Sequence, residues 1–217
     1  MITVDLSPLA PLIEPLAVLT GIASVALLVR QHIVNWPVGI VSAALFLVLF
    51  AGAGLYADSA LQVMFVALGF YGWWHWSTGG PVRDDLPVTT ASPRLRAGLI
   101  TGAVLTALAL GAFLDTATDS TVPYPDAATM VLSVTATLLL ARKKIETWPV
   151  WIFGVNLPYI AIYLSKGLGM TAALQLVFIA LSIAGWAAWR RSMAARAAEA
   201  GVEADLRLAS VPVESDR

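Results

Sequence analysis

The chain has 217 residues, of which 59% are apolar and only 12% are charged. Soluble globular domains carry about 25% charged residues, so the composition argues against a water-soluble domain and predicts an integral membrane protein. Cysteine is absent, which excludes disulfides and thiolate metal sites. No motif indicates a resident metal, a cofactor or nucleic-acid binding.

Seven apolar segments follow one another, each long enough to cross a bilayer as an α-helix of roughly 17–25 residues. In chain order they are predicted at 12–29, 37–54, 58–76, 97–114, 125–141, 149–166 and 170–189. Pro37 and Pro149 lie in the first turn of segments 2 and 6, where a missing N–H is harmless. Residues 78–96 are predicted to form a loop, and the charged tail after Arg190 a helix that frays. The first segment lacks the marks of a signal peptide, so we expect it to be retained.

The basic residues fall almost entirely on one side once the segments are threaded through a bilayer. With the N-terminus outside, Lys166 is the only one of the thirteen Lys and Arg residues on the outer side. The inner side holds Arg30, Arg83, Arg94, Arg96, Arg142, Lys143, Lys144, Arg190, Arg191, Arg196, Arg207 and Arg217. By the positive-inside rule, this predicts a multi-pass protein of the cytoplasmic (inner) membrane with the N-terminus outside and the C-terminus cytoplasmic.

Segments 1–3 and 5–7 are predicted to be two copies of one three-helix unit. The pattern Arg-x5-Trp-Pro-Val that begins at Arg30 recurs at Arg142, and residues 54–76 match residues 167–189 at eleven of twenty-three positions. Segment 4 returns the chain and makes the repeats parallel, as in transporters whose site lies near the midplane between repeats. The predicted regions are 1–76 (N-terminal region and first repeat), 77–124 (loop, linker helix and outer loop), 125–189 (second repeat) and 190–217 (cytoplasmic tail).

Polar residues inside membrane spans are costly and are therefore candidates for function. On a helical wheel, the aromatic and amide side chains of segments 3, 6 and 7 each gather on one face. His75 points away from the face that carries Gln62 and is not counted as a ligand. The predicted substrate-binding residues are Gln62, Trp73, Trp148, Trp151, Asn156, Tyr159, Tyr163, Gln175 and Trp186.

Asn156 stands out among these residues because it lies about 12 Å into its helix, near the midplane. Pro158 follows it and is expected to loosen the helix and free backbone carbonyls. The first repeat has apolar residues at the matching positions, so the second repeat is expected to supply most of the specificity. Two structural alternatives stay open: the tryptophans as an interfacial belt, and Gln62 and Gln175 as interhelical hydrogen-bonding groups.

The chemistry of these side chains limits the ligand. Aromatic faces suit a flat ring, neutral or cationic, and amides suit hydroxyls or a carboxamide. The midplane has neither a basic residue for an anionic ligand nor a carboxylate for proton coupling, and no Gly-rich phosphate loop supports ATP hydrolysis. A membrane enzyme or signalling subunit would need convergent catalytic groups, which His32 and His75 do not have.

Several motifs together resemble the nicotinamide riboside transporter (PnuC) family, often labelled nicotinamide mononucleotide transporters. They are Trp36-Pro37-Val38-Gly39-Ile40, Leu55-Tyr56-Ala57-Asp58, Leu61-Gln62, Tyr71-Gly72-Trp73-Trp74-x-Trp76, and Trp148-Pro149-Val150-Trp151 followed by Asn156 and Tyr159. The resemblance covers about residues 15–190. It implies an all-α, seven-helix protein in a three-plus-one-plus-three arrangement related to the SWEET sugar transporters, usually a homotrimer. It also implies facilitated diffusion rather than an enzymatic reaction, with a cytosolic kinase trapping the substrate.

Members that resemble this chain carry nicotinamide riboside, riboflavin or thiamine, and the residues alone do not separate these ligands. Nicotinamide riboside is preferred, since a pyridinium cation, a carboxamide and a ribose together account for tryptophan, asparagine and glutamine. Riboflavin is the closest alternative.

Overall fold

A computed structural model describes residues 10–52, 56–79, 86–118, 122–165 and 169–209, which are helical apart from short turns and one extended loop. The first five helices are α1 (Ala10–Val29), α2 (Asn35–Gly52), α3 (Tyr56–Thr78), α4 (Pro93–Ala117) and α5 (Pro123–Ala141). The sixth, α6, joins Thr147–Pro149, a π-helical stretch Val150–Asn156 and Leu157–Ser165, and α7 is Gly169–Ala209. Arg83, Lys166 and Arg217, used in the charge argument, lie outside the described residues.

These seven helices confirm the predicted all-α membrane fold. By length and composition, α1, α2, α4, α5, α6 and α7 could each cross a membrane. The 23-residue α3 also has the length, although its last turns are rich in Trp, His, Ser and Thr. A helix satisfies its own backbone polar groups, which is what a lipid environment requires.

The helices begin and end within four residues of the predicted spans, except at the end of α7, and the largest difference at a helix start is in α4. Helix α4 begins at Pro93, inside the predicted loop 78–96, because the Ser92 side chain accepts a hydrogen bond from the Leu95 amide at 3.3 Å and caps the helix. This Ser-Pro start is a recognisable N-terminal signal. Helix α7 has 41 residues and continues to Ala209, so it extends well past the roughly 20 residues that cross a bilayer.

The six helices of the two repeats contact one another in a closed order. Helix α2 lies between α1 and α3, α6 lies between α5 and α7, and the repeats meet along α3–α5 and α1–α7. Among the described residues α4 contacts only α5, which places it outside this ring as the linker. In each repeat the middle helix lies between the other two, and at both seams between the repeats the third helix of one repeat meets the first helix of the other. The predicted three-plus-one-plus-three arrangement is therefore confirmed.

The turns that join α1 to α2 and α5 to α6 are built alike. Gln31 and Lys143 occupy matching positions and both have positive φ, 56° and 47°. Each donates its amide to a carbonyl at the end of the preceding helix, Leu28 and Leu140, at 2.9 Å in both cases. A non-glycine residue with positive φ is uncommon, so its recurrence supports the duplication independently of sequence identity.

A second matched contact ties each turn to the helix before it. In the first repeat the Ser24 hydroxyl donates to the Asn35 carbonyl at 2.9 Å. In the second repeat the Thr147 hydroxyl donates to the Ala136 carbonyl at 2.8 Å. Ser24 and Ala136 are at matching positions, as are Asn35 and Thr147. The hydroxyl donor therefore comes from opposite ends of the contact in the two repeats, and the contact is kept although the residues differ.

Residues 86–92, here called the strap, run along the turn between α5 and α6. The Thr89 amide donates to the Lys143 carbonyl, and the Ile145 amide donates to the Thr89 carbonyl, both at 3.0 Å. The Glu146 carboxylate accepts from the Ala91 amide at 3.0 Å and from the Arg96 guanidinium at 2.6 Å. The strap therefore connects the segment that follows the first repeat to the base of the second.

Candidate functional site

Four tryptophans form a continuous buried cluster at the end of the ring where α2 and α6 begin. Trp36 meets Trp76 edge to face at 5.4 Å, and Trp148 meets Trp189 in the same geometry at 5.3 Å. Trp76 and Trp189 join the two pairs at 6.2 Å. All four are at most 4% exposed. The tryptophan cluster therefore spans the interface between the repeats on the side that carries the basic turns.

Each half of the cluster depends on a glycine. The closest atom to an ideal Cβ at Gly72 would be Cη2 of Trp36, and at Gly185 it would be Cη2 of Trp148, at 2.2 Å in both cases. No side chain can occupy that space while the indole stays in place. These glycines let the indole of α2 or α6 lie directly on the backbone of α3 or α7.

The cluster is hydrogen-bonded across the repeats. Trp76 Nε1 donates to the Ala141 carbonyl at the end of α5, at 3.1 Å. Trp189 Nε1 donates to the Leu28 carbonyl near the end of α1, at 3.2 Å. Among the described residues the indole N–H groups of Trp36 and Trp148 are buried without a hydrogen-bond partner. An unpaired buried donor is costly, and its occurrence at the same position of both repeats marks these indoles as more than an interfacial belt.

The amide side chains predicted to bind substrate lie deeper in the ring. Gln62 and Gln175 are matched and equally buried, and Asn156 is 3% exposed. In the part of the chain that the structure describes, none of the three side chains makes a hydrogen bond with another protein group. Three buried amides with spare donors and acceptors are what a ligand with hydroxyls or a carboxamide requires.

Asn156 ends the π-helical stretch of α6, and Pro158 follows in the next turn. The Leu157 amide bonds to the Ile152 carbonyl, five residues back, which is the wider spacing of a π-helix. Helix α2 is regular throughout. The predicted loosening is therefore present, one turn earlier than Pro158 itself, and among the described helices it occurs only in the second repeat. Such π-helical turns are frequent at functional sites.

Tyr159 and Tyr163 lie on the next turns of α6 and stack on each other, with ring centroids 5.2 Å apart and 9° between the planes. Both side chains are half-buried, as is Trp151 within the π-helical stretch. These aromatic residues and Asn156 therefore belong to one helix, with Trp148 at its start.

Trp73 and Trp186, predicted at matched positions, have different surroundings. Trp73 is 40% exposed and lines a shallow surface groove with Phe70, Trp74 and Ser77. Trp186 packs against the tryptophan cluster and lines an open surface groove of about 460 Å³ together with Arg190. The structure therefore brings Trp186 next to the cluster but leaves Trp73 at the surface of α3.

His75 stacks on Tyr71 of the same helix, with ring centroids 5.7 Å apart.

Trp36, Trp76 and Trp189 were not among the residues predicted to bind substrate. The signal that could have found them is their repetition: each occupies the same position in its repeat as a partner tryptophan. Charged side chains of the described spans lie near helix ends, Asp58 and Asp126 in the first turns of α3 and α5. The middle of the ring is thus polar through amides and hydroxyls rather than through charge.

Comparisons with known proteins agree with this architecture. The chain is similar to the nicotinamide riboside transporter PnuC of Escherichia coli K12, with 24% identity over 87% of this chain and 89% of that protein. It is also similar to the riboflavin/roseoflavin transporter RibM of Streptomyces davaonensis, with 27% identity over 78% and 80%. A crystal structure of the vitamin B3 transporter PnuC has the same fold, with a TM-score of 0.66, 21% identity and coverage of 82% and 80%.

A family model decides the classification, since it matches nearly the whole membrane part of the chain. This family model is that of the nicotinamide mononucleotide transporter, and it matches residues 11–191. The match includes all the helices that form the ring and the linker α4. The chain therefore belongs to the nicotinamide mononucleotide transporter family, a family of membrane transporters and not of enzymes.

Proposed function

We propose that this chain imports nicotinamide riboside across the cytoplasmic membrane. The observation that carries the proposal is a set of three buried amides, Gln62, Asn156 and Gln175. Within the described ranges these side chains make no hydrogen bond to another protein group, and they lie inside a protein of this transporter family. Their donors and acceptors suit a carboxamide and ribose hydroxyls. The similar Escherichia coli protein bears the name of a nicotinamide riboside transporter, which supports the same substrate.

The substrate site is assigned to the second repeat with a contribution from the first. Asn156 and the aromatic residues Trp148, Trp151, Tyr159 and Tyr163 come from α6. The amides of Gln175 and Gln62 approach from α7 and α3, and Trp186 adds an aromatic face toward the basic end. A pyridinium ring between aromatic faces gains cation–π attraction of about 0.5–2 kcal/mol. Trp73, being exposed, is assigned at most a role at the mouth of the path.

Transport is facilitated diffusion. The described spans place their charged groups near helix ends, so the middle of the ring offers no carboxylate that a coupled proton could use. Direction then comes from phosphorylation of the riboside in the cytosol, because the described middle of the ring has no cation to pair with a phosphate.

Orientation and assembly are part of the proposal. The basic turns and the long α7 face the cytoplasm, with the N-terminus outside, as the positive-inside rule favours. The protein assembles as a homotrimer with a separate path in each protomer, as the family resemblance implies, and the lipid bilayer is its other partner.

Calorimetry on the purified protein tests the substrate. We expect nicotinamide riboside to bind and its mononucleotide to bind much more weakly, since the phosphate must be desolvated without a cation. Asn156→Ala should weaken riboside binding by at least tenfold, the effect of losing hydrogen bonds worth about 1.4 kcal/mol. Trp151→Ala should also weaken it, whereas Trp74→Ala, which removes a tryptophan that is 61% exposed, should leave it unchanged.

Riboflavin is the second candidate, because the RibM relative is named for riboflavin and roseoflavin. A flavin also offers a flat ring and a hydroxylated chain to aromatic residues and amides. If riboflavin binds and the riboside does not, the proposed site and facilitated diffusion stand, and riboflavin becomes the proposed substrate. Failure of the riboside, riboflavin and thiamine alike would remove the support for this site.

A further inference from the structure

The two seams between the repeats are equivalent in topology but are not held together equally. Across the α3–α5 seam the Trp76 indole N–H donates to the Ala141 carbonyl at 3.1 Å and to the Leu140 carbonyl at 3.4 Å. Across the α1–α7 seam the Trp189 indole N–H donates to the Leu28 carbonyl at 3.2 Å. A substrate that passes between the repeats on the basic side must separate at least one of these seams.

The α3–α5 seam has several additional contacts. The Arg142 guanidinium donates to the Tyr71 hydroxyl at 3.3 Å. The Lys143 ammonium lies 4.4 Å from the ring centroid of Trp76 and donates to the Leu86 carbonyl of the strap at 2.7 Å. Lys143 is only 5% exposed, so its cation–π contact with Trp76 is at the stronger end of the usual range.

The strap extends this connection to the next helices. Lys144 donates its ammonium to the Thr89 hydroxyl at 2.7 Å, and Glu146 pairs with Arg96 at the start of α4. The turn between α5 and α6 is therefore held by α3 on one side and by the strap and the start of α4 on the other. The network is charge-assisted and partly buried, which makes it stronger than neutral surface contacts.

The α1–α7 seam has other residues at the matching positions. Gln31 stands where the second repeat has Lys143, and Ala184 stands where the first repeat has Tyr71. Neither can reproduce the cation–π contact or the hydroxyl acceptor. Across this seam the described residues give one hydrogen bond, from Trp189 to Leu28, and the described part of the chain contains no strap over the turn at Gln31.

We infer that the tryptophan cluster is the gate on the basic side, and that it opens along the α1–α7 seam while the α3–α5 seam stays closed. Opening breaks the Trp189–Leu28 hydrogen bond and separates Trp189 from Trp76. Trp76 remains bonded to Ala141 under Lys143. This inference rests on the proposed transport function, which requires a path between the repeats, but it does not depend on which substrate is carried.

Thiol labelling tests the gate directly, because the chain has no cysteine. Ser182 lies on α7 about 10 Å inside Trp189 at 1.5 Å per residue, and it is buried. Ser182→Cys therefore reports access from the basic side. The probe is a membrane-impermeant maleimide added to inverted or right-side-out vesicles, and the rate is compared between two matched variants, Trp189→Phe and Trp76→Phe.

We expect Trp189→Phe to raise the labelling rate from the basic side about tenfold, equivalent to about 1.4 kcal/mol for a lost buried hydrogen bond. Trp76→Phe should raise it less than about twofold, because the Arg142–Tyr71 hydrogen bond remains and the phenyl ring still offers Lys143 an aromatic face. The loss of ring volume is common to both variants. Equal rates, no change in either variant, or a larger effect of Trp76→Phe would overturn the inference.

A reciprocal variant gives the α3–α5 seam the residues of the other seam. The double variant Lys143→Gln/Tyr71→Ala keeps all four tryptophans. We expect it to raise the labelling rate of Ser182→Cys severalfold. This test does not require Trp189→Phe to fold. Adding Trp76→Phe to this pair should then produce the large increase that Trp76→Phe alone does not. An unchanged rate in the Lys143→Gln and Tyr71→Ala variant would contradict the asymmetry. Because labelling needs no substrate, loss of riboside binding would leave this result interpretable.

Discussion

Gly72 and Gly185 determine how closely the tryptophans of each repeat approach the neighbouring helix. Gly185→Ala would place a methyl group 2.2 Å from Cη2 of Trp148, so the indole must move. Overpacking of this kind costs about 1–3 kcal/mol, and we expect a clearly lower melting temperature in detergent. Gly98→Ala in α4 is the control, since nothing lies within 4 Å of its Cβ position and alanine favours a helix. Equal melting temperatures for the Gly185→Ala and Gly98→Ala variants would show that the contact between Gly185 and Trp148 is unimportant for stability.

At the residue scale the sequence identified the polar and aromatic side chains in the spans, but it predicted less well which of the tryptophans are buried. The helical wheel placed Trp73 and Trp76 on one stripe, yet Trp76 is buried and Trp73 is 40% exposed. A wheel gives the direction of a side chain within its own helix, but burial depends on which neighbouring helix covers that level. The amides were less ambiguous, because Gln62, Asn156 and Gln175 are all buried as a polar group in a span must be.

At the element scale α6 is the irregular helix, and it carries most of the proposed substrate site. Pro158→Ala would return an amide N–H to the helix, so a regular α-helix becomes available in place of the π-helical stretch. We expect a higher melting temperature, since proline in a helix interior costs about 3 kcal/mol relative to alanine, and weaker riboside binding as Asn156 rotates away. Pro37→Ala, at the first turn of the regular α2, should change neither quantity. Unaltered binding in Pro158→Ala would separate the π-helical stretch from substrate recognition.

The elements themselves were largely predictable, because each membrane span needs a continuous apolar run and positions 54–76 repeat at 167–189. The start of α4 was missed by four residues although Ser92 and Pro93 carry a capping signal. The π-helical stretch was not predictable in position, since Pro158 indicates a disturbance but the backbone absorbs it one turn earlier. The strap was predicted only as part of a loop. It contacts the turn at Lys143 largely through its own backbone groups at Leu86, Thr89 and Ala91, and backbone groups leave little trace in the sequence.

At the scale of the whole molecule, duplication and asymmetry are combined. The positive-φ turns and the edge-to-face tryptophan pairs preserve the two-fold relation between the repeats. The strap, the π-helical stretch and Asn156 break it. A symmetric ring gives two equivalent seams. The departures from symmetry are where we propose that one repeat specialises in substrate recognition and one seam in opening.

The orientation of the whole molecule gives the last prediction. The basic turns of the described chain lie at one end of the ring, with Arg30 and Arg142 in equivalent places, so the positive-inside rule puts that end in the cytoplasm. In the cysteine-free chain, Ala117→Cys marks the far end of α4 and Ala195→Cys marks the extension of α7. We expect an impermeant maleimide to label Ala117→Cys in right-side-out vesicles and Ala195→Cys only after inversion or permeabilisation. The reverse pattern would place the tryptophan cluster at the outer face and make it the entry gate rather than the exit gate. Labelling of both variants from the same side would contradict the membrane crossing of α5, α6 or α7, the three helices that separate the two positions.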